Sequence, residues 1–333
     1  MTASELRELR APLAESRGAP AIVQSSYGSR GNLELVQADA REGLWVHWRN
    51  NDAQDVRPGA LAGCWSAGLA FAGGRRFDDV ALTQVAQGSP NIEVVATSGT
   101  LIHRTYWSAD AGFSEPVALA GGCSPGSIAL VQRGDGDLVV AAPDADGGVR
   151  LLLCDTAAYP ALAVRELRRL APELGRLLGV AAAEGADGLA LVALSESGVV
   201  TALEERTGAS EAIASGCHAV AIAAARRGSG AALVALRESG ASLAVQGADG
   251  WSAPRSLTVQ LAGAVAVAAC RSTLGREQVD VVIRAGSSLV HAAIDDRTAM
   301  LLELPAVIET RAWIEASPEA APAHDEAGAP CRS

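Results

Sequence analysis

Apolar and polar residues alternate in short runs along most of the chain, and glycines, serines and prolines separate these runs. Alternation with a period of two predicts β-strands with one face toward a core, whereas an amphipathic helix repeats every 3.6 residues. The pattern itself also recurs. Six segments resemble one another: GNLELV (31–36), PNIEVV (90–95), GDLVVA (136–141), GLALVA (188–193), GAALVA (230–235) and QVDVVI (278–283).

Each copy forms the middle of a larger unit, and successive copies are 42 to 59 residues apart. An apolar strand precedes each copy, a third strand follows it after a short turn, and a fourth is visible after WSAP (251–254) and two similar segments. Four short strands in a unit of this length are typical of a β-propeller blade. We therefore predict an all-β fold with six four-stranded blades. A degenerate seventh blade, a β-solenoid and a pair of β-sandwiches are the alternatives.

Two segments lie outside the repeat. Residues 1–18 contain a Thr2/Glu5 capping box and leucines at helical spacing, which predict a short amphipathic helix that could bind a protein partner. The propeller is expected over residues 20–308. Residues 315–333 are rich in alanine, proline and glutamate, and this composition predicts a disordered tail.

Composition narrows the classes of partner. The net charge of -11 argues against nucleic acid and against an anionic membrane surface, because both require a basic face. No apolar run is long enough to predict a membrane span, and the first residues do not resemble a secretory signal, so we expect a cytoplasmic protein. The six cysteines never form a CxxC pair, so we expect reduced thiols, no metal site and no cofactor.

The segment IVQSSYGSRGNLELV…LWVHWRNND and its echo ALTQVAQGSPNIEVV…LIHRTYW resemble the PLL-like bacterial β-propellers, a repeat family related to fucose-binding lectins. The resemblance is good in units one and two, fair in unit five and faint elsewhere. It implies a propeller that binds sugars in pockets between blades, which are built from aromatic and polar side chains. Binding, rather than catalysis, is the function that the resemblance implies.

Units one and two contain most of the aromatic residues of the chain. Aromatic faces bury the apolar side of a sugar ring, and charged side chains fix its hydroxyls. This sector is therefore the predicted ligand site, although inter-blade packing would explain the same aromatic residues. The candidate ligand-binding residues in it are Trp45, Trp48, Arg49, Asp52, Tyr106 and Trp107.

Alignment of the repeat sequences places three histidines at one equivalent position in the third strands of units one, two and six. It places three acidic residues at one equivalent position in the second strands of the same units. These residues are His47, His103 and His291, and Glu34, Glu93 and Asp280. Asp280 and His291 are expected to meet across a tight Ala285-Gly286 turn. A carboxylate beside an imidazole could act as a general base, but a motif found in three blades is more typical of structural cross-strand pairs.

Three glutamines, Gln24, Gln84 and Gln132, occupy the first strands of units one to three, where units four to six are expected to have alanines. If their side chains face the central channel, half of that channel presents amides to a peptide or a small polar ligand. Hydrogen bonding to a neighbouring blade is the other interpretation.

The sequence thus favours a non-catalytic propeller that binds a carbohydrate or a peptide on the sector of blades six, one and two. Two alternatives stay open. One is an enzyme, a cyclase, lyase or hydrolase, that uses the histidines and carboxylates or the channel. The other is a scaffold that binds proteins through its N-terminal helix.

Overall fold

The computed structural model describes residues 15–308, apart from 53, 55, 58, 86–90, 186–187, 215–217, 228–229, 238–239, 258–262, 272–277, 296 and 303–305. These residues form six antiparallel sheets, each built from one continuous stretch of chain. Residues 1–14 of the helix predicted over 1–18, and the predicted tail, lie outside the described residues, whereas residues 16–18 belong to a strand rather than to a helix. The first strand begins at Ser16.

The sheets are the blades, and their strands are hydrogen-bonded in sequence order from the centre of the ring outward. The strands of blade 1 are Ser16–Gln24, Leu33–Asp39, Leu44–Arg49 and Leu69–Phe71. Those of blade 2 are Val80–Val85, Asn91–Ser98, Leu101–Ser108, and an outer strand in two pieces, Gly112–Phe113 and Val117–Gly121. Those of blade 3 are Ala129–Gln132, Leu138–Pro143, Val149–Asp155 and Ala163–Leu170.

A short 3-10 turn at Pro172–Leu174 leads into the second half of the ring. Blade 4 contains Leu177–Gly185, Gly188–Ser195, Val200–Glu204 and Ser210–Ala214. Blade 5 contains Ala219–Arg227, Gly230–Arg237, Gly240–Gly247, and the outer pieces Gly250–Trp251 and Arg255–Ser256. Blade 6 contains Ala264–Arg271, Gln278–Ala285, Ser288–Asp295, and the outer pieces Met300–Leu301 and Ala306–Ile308.

The innermost strands contact one another around the ring, and the innermost strand of blade 6 packs against that of blade 1. The prediction of a six-bladed propeller is therefore confirmed. The channel at the centre is narrow and apolar, with a volume of about 90 Å³. All six innermost strands contribute alanine, valine, leucine or isoleucine side chains to it.

The core lies between the blades, because each second strand is mostly aliphatic and is buried on both of its faces. Six main clusters of buried aliphatic side chains each join two neighbouring blades, including blades 6 and 1. A single four-stranded sheet could not bury both faces, but stacking in a ring does so. Packing between blades therefore creates six inter-blade clefts, each named here by its two blades.

The expectation of reduced thiols is only partly correct. Cys64 forms a disulfide, whereas Cys123, Cys154 and Cys270 are free and buried. Burial raises the pKa of all three free thiols, that of Cys154 to about 12. The thiolate is the reactive form, so these free cysteines are chemically inert packing residues.

Candidate functional site

The three predicted carboxylates do occupy one structural position. Glu34 pairs with Val23, Glu93 with Thr83 and Asp280 with Cys270, at matching places on the second and innermost strands. Each carboxylate residue is only 1% exposed. An ionised carboxylate needs a cation or several hydrogen-bond donors when it is removed from water, so each of these positions requires a partner.

The predicted equivalence of the three histidines is wrong. Their cross-strand partners are Leu35, Ala96 and Val282, which lie one, three and two residues after the carboxylate of the respective blade. The three histidines therefore lie in different layers of the ring, and only one of them bonds to an acid.

In blade 6 the Nε2 atom of His291 lies 2.9 Å from Oδ1 of Asp280. The expected Ala285-Gly286 turn would place the two residues directly opposite each other, but they are not. Ala285 pairs with Ser288 instead, so Asp280 faces Ala293 and meets the histidine diagonally. The ring of Trp65 packs edge-on against His291, with 5.4 Å between the ring centroids. This pair is buried in the 6/1 cleft.

His47 and His103 have other partners. His47 Nε2 lies 3.0 Å from the amide nitrogen of Gln37, and Nδ1 lies 3.4 Å from the carbonyl oxygen of Ser66. Nε2 therefore accepts a hydrogen bond from the Gln37 amide and Nδ1–H donates one to the Ser66 carbonyl oxygen, so the ring is neutral. Burial lowers the pKa of His47 to about 4. Burial and the nearby Arg75 charge also lower the pKa of His103.

The carboxylate of blade 1 bonds to an arginine that the sequence did not single out. Arg57 Nη1 lies 3.2 Å and 3.1 Å from the two oxygens of Glu34. The Arg57 guanidinium carbon lies 4.2 Å from the ring centroid of Trp48 and 5.3 Å from that of Trp107. The 1/2 cleft thus holds a carboxylate, a guanidinium and two indole rings. Burial raises the pKa of Glu34 to about 7, and the Arg57 charge opposes this rise.

A buried asparagine fixes the loop that carries Arg57. The side-chain nitrogen of Asn50 donates to the carbonyl oxygens of Arg57 and Ala60, at 2.9 Å and 2.8 Å. Its side-chain oxygen accepts from the backbone N–H of Arg57 and from the Asn32 amide, at 3.1 Å and 3.0 Å. Four hydrogen bonds saturate this amide, so the position of the arginine is set by the fold.

The 2/3 cleft repeats this chemistry with residues from different elements. Arg104 in the third strand of blade 2 donates to both oxygens of Glu93, at 2.9 Å and 2.6 Å. Tyr159 from blade 3 donates its hydroxyl to the same carboxylate at 2.7 Å. The Arg104 guanidinium carbon lies 4.7 Å and 5.8 Å from the ring centroids of Tyr106 and Tyr159. The 1/2 and 2/3 clefts, which are adjacent, therefore each contain one carboxylate, one arginine and two aromatic rings.

The other predicted ligand residues in blade 1 have partners inside the protein. The indole N–H of Trp45 donates to Asp39 at 2.9 Å. Asp52 accepts from the backbone N–H groups of Ser29 and Gln54, at 3.2 Å and 2.9 Å. Arg49 donates to the carbonyl oxygen of Gly63 at 3.1 Å.

The three glutamines lie at one mouth of the channel rather than along its wall. Gln24 and Gln132 donate to carbonyl oxygens in the next turn of their own blades, and Gln84 accepts from the backbone N–H of Ser26 in blade 1. Strand register places Glu184, Arg226 and Arg271 at the same level in blades 4 to 6. The expected alanines Ala182, Ala224 and Ala269 line the channel two residues earlier. The mouth is therefore polar in all six blades.

A second cavity lies far from the predicted sector. It has a volume of about 760 Å³ and occupies the 4/5 cleft, with Trp251 and Gln246 on one wall. In a ring of six blades this cleft is diametrically opposite the 1/2 cleft.

Several solved structures have a similar fold at low sequence identity. A triple arginine-to-alanine variant of AofleA from Arthrobotrys oligospora is 13% identical, with a TM-score of 0.66 over 89% of this chain and 88% of that one. The six-bladed fucose-recognising lectin of Aleuria aurantia is 15% identical, with a TM-score of 0.58 over 90% and 98%. The SapL1 lectin in complex with α-methyl fucoside is 12% identical, with a TM-score of 0.55 over 90% and 98%.

The fold is shared with fucose-binding lectins. The sequence matches no family model, and no curated protein matches it. The expected PLL-like family therefore stays a prediction, and the shared six-bladed architecture is the coarser result. Within the described ranges, no helix is long and apolar enough to cross a membrane, and no group of three potential metal ligands is found.

Proposed function

We propose that the protein is a carbohydrate-binding propeller whose principal site is the 1/2 cleft. The observation that carries the proposal is the Arg57 guanidinium, which is held on a buried carboxylate between the rings of Trp48 and Trp107. A fixed cation with hydrogen-bond donors beside an aromatic face is a combination that recognises sugar hydroxyls and the apolar side of the ring.

The hydrogen bonds of Arg57 support a role beyond the ion pair. Among the described residues, both of its side-chain bonds come from Nη1, so the donors on Nε and Nη2 are available to a ligand. The Arg57 side chain is 18% exposed. In addition, the buried indole N–H of Trp48 has no hydrogen-bond partner within the described structure. Unsatisfied donors that are already positioned favour binding, because little ordering is required when the ligand arrives.

The 2/3 cleft is the weaker site. Both Arg104 nitrogens that face Glu93 already donate hydrogen bonds to it, and the Tyr159 hydroxyl donates a third to the same carboxylate. The Arg104 side chain is only 8% exposed. We therefore assign the stronger affinity to the 1/2 cleft.

Isothermal titration with α-methyl fucoside, followed by other monosaccharides, tests the proposal. Arg57→Lys retains the positive charge and loses the planar fork, so sugar affinity is expected to fall while the fold is kept. Arg41→Lys, at an exposed position in the same blade, is the matched control. Failure of every sugar to bind the unaltered protein, or equal affinity in the two variants, would reject the 1/2 cleft as a sugar site.

The enzyme and the peptide-binding hypotheses each have a test of their own. Asp280 and His291 lie beneath Trp65, so we assign them to packing rather than to general base catalysis. Turnover that is lost in His291→Gln would reverse that assignment. Peptide binding, cytoplasmic location and the N-terminal docking helix stay predictions. Binding to a peptide panel, rather than to sugars, would favour the first of these.

A further inference from the structure

The mouth of the channel that lies opposite the glutamines is apolar on one side only. Its rim is formed by the residue six positions before the polar residue of each innermost strand. In blades 4 to 6 this residue is aliphatic and exposed: Leu178 is 43% exposed, Val220 37% and Val265 46%. In blades 1 to 3 the same place is occupied by Gly18, Asp78 and Gly126.

A β-bulge brings each of the three aliphatic residues to the rim. In blades 4 to 6 the pairing between the innermost and second strands skips one residue near its start, and the skipped residues are Leu178, Val220 and Val265. A bulge re-aims the side chain of the extra residue. The three innermost strands contact one another in turn, so these side chains lie next to each other. We call them the apolar arc.

The apolar arc is small. One exposed aliphatic side chain is ordinary on a protein surface, but the same position in three neighbouring blades forms a patch. A stable interface between separate molecules buries about 1,200–2,000 Å² in total, far more than three half-exposed aliphatic side chains supply. A segment of the same chain can bind to a smaller patch, because the covalent link holds it at a high effective concentration.

The N-terminal segment leaves the propeller at this same rim. The innermost strand of blade 1 begins at Ser16, and the Glu15 carbonyl oxygen accepts from the backbone N–H of Ala40 at 2.7 Å. Residues 1–14 therefore start beside the rim. Blade 6, which carries Val265, is the neighbour of blade 1 in the ring. As a helix, fourteen residues would extend about 20 Å.

The sequence of this segment matches an apolar surface of this kind. Leu6, Leu9 and Leu13 follow helical spacing, and charged residues separate them. Isolated helices shorter than about 12–15 residues are only marginally stable in water. A helix in residues 1–14 therefore requires an apolar surface on which to form, and the apolar arc provides one at the point where the segment begins.

We propose that residues 1–14 fold back as an amphipathic helix onto the apolar arc of their own chain and cap this mouth of the channel. The three leucines would cover Leu178, Val220 and Val265, and the charged face would remain in water. A protein partner that recognises the helix would have to displace it from the arc. The proposal does not rest on the sugar site, which lies in the 1/2 cleft.

Hydrogen–deuterium exchange of the full chain tests the cap. The backbone amides of residues 5–13 are expected to exchange about tenfold more slowly in the full chain than in a synthetic peptide of residues 1–15. Exchange at the rate of the free peptide would overturn the proposal, because a docked helix protects its amides.

Variants of the arc locate the docking surface. Val220→Glu and Val265→Glu place a charge where the leucines would pack, and each is expected to remove the protection of residues 5–13. Val117→Glu is the matched control, since Val117 is 55% exposed on the outer strand of blade 2. Protection that both arc variants leave unchanged would place the helix elsewhere and reject the proposal.

Two further measurements cover the remaining outcomes. If an arc variant does not fold, as judged by circular dichroism, the double variant Leu6→Ser/Leu9→Ser alters only the segment and is expected to lose the same protection. Docking within one chain is independent of protein concentration. Protection that disappears on dilution would assign the arc to the helix of a second copy and would also reject the proposal.

Discussion

The guanidinium carbon of Arg57 lies 4.2 Å from the centroid of the Trp48 ring. Arg57 comes from the loop after the third strand of blade 1, so this contact depends on how that loop is held. The Asn50 side chain fixes the loop through four hydrogen bonds, two of them to the backbone of Arg57 itself. The sugar affinity of the 1/2 cleft should therefore depend on an amide that contacts no ligand.

Asn50→Ala is expected to lower both stability and sugar affinity. Loss of four hydrogen bonds by a buried side chain should reduce the free energy of unfolding by about 3 kcal/mol. Urea unfolding measures the first effect and titration with α-methyl fucoside measures the second. Gln54→Ala, an exposed amide in the same loop, is the control and should change neither. A destabilised Asn50→Ala protein that still binds sugar normally would show that Arg57 is not the group that binds.

Gly68 should be nearly irreplaceable. Its φ is +94°, and an added Cβ would lie 2.4 Å from the His47 ring. Gly74 also has a left-handed φ, +74°, but nothing lies within 4 Å of its Cβ position. Gly74→Ala should therefore cost about 1 kcal/mol, from backbone strain alone. Gly68→Ala should cost about 3 kcal/mol or more, because it adds a steric clash with His47. Equal melting temperatures for the two variants would contradict this packing.

The buried His47 should make the protein sensitive to acid. Its pKa is about 4 in the folded protein, below the ordinary value of 6.5. As pH falls from 6.5 toward 4, the unfolded chain binds a proton that the folded protein does not, so stability falls by about 3 kcal/mol. His47→Gln should lose this component of the pH dependence, whereas His218→Gln, at an exposed position, should retain it. Unfolding in urea between pH 4 and pH 7 gives the comparison.

Glu34 should act in the opposite direction. Its raised pKa of about 7 means that the folded protein binds a proton more tightly than the unfolded chain. The contribution of this group is therefore present below pH 4.5 and is lost as pH rises toward 7. Glu34→Gln should flatten the stability profile over that interval. A profile unchanged from that of the parent protein would mean that Arg57 keeps the carboxylate ionised.

Tyr159→Phe isolates one bond in the 2/3 cleft. It removes the hydroxyl that donates to Glu93 at 2.7 Å and leaves Arg104 in place. The expected loss of stability is about 2 kcal/mol, because the acceptor is a buried carboxylate. Chemical unfolding of the single and double variants with Arg104→Lys would give the coupling between the two donors. Additive effects would indicate that Tyr159 and Arg104 act independently on Glu93.

The repeat and the shared place of the three carboxylates could be predicted because each second strand keeps its own pattern. The histidines could not, because the connections to the third strand differ in length. Ala38 pairs with Leu44 in blade 1, whereas Ser98 and Leu101 enclose a two-residue turn in blade 2. Aligning the repeats by sequence alone ignores these differences in turn length, and each difference shifts the register of the third strand relative to the second.

The arginines were missed for two different physical reasons. Arg104 follows His103 directly, and successive side chains in a strand point to opposite faces, so a pattern based on the histidines indicates the face opposite to the one that carries Arg104. Its diagonal relation to Glu93 was available from the register of the hairpin. Arg57 lies in a loop without periodicity, and nothing local marks it. The 4/5 cavity arises from the smallness of its lining residues, which carry no chemical signal in a sequence.

Each blade is one uninterrupted stretch of chain, and each cleft draws its lining almost wholly from two neighbouring blades. A substitution in one cleft therefore leaves the opposite cleft untouched. The six clefts can therefore differ in chemistry while the ring stays closed, as the arginine–tryptophan contact of the 1/2 cleft and the small residues of the 4/5 cleft do.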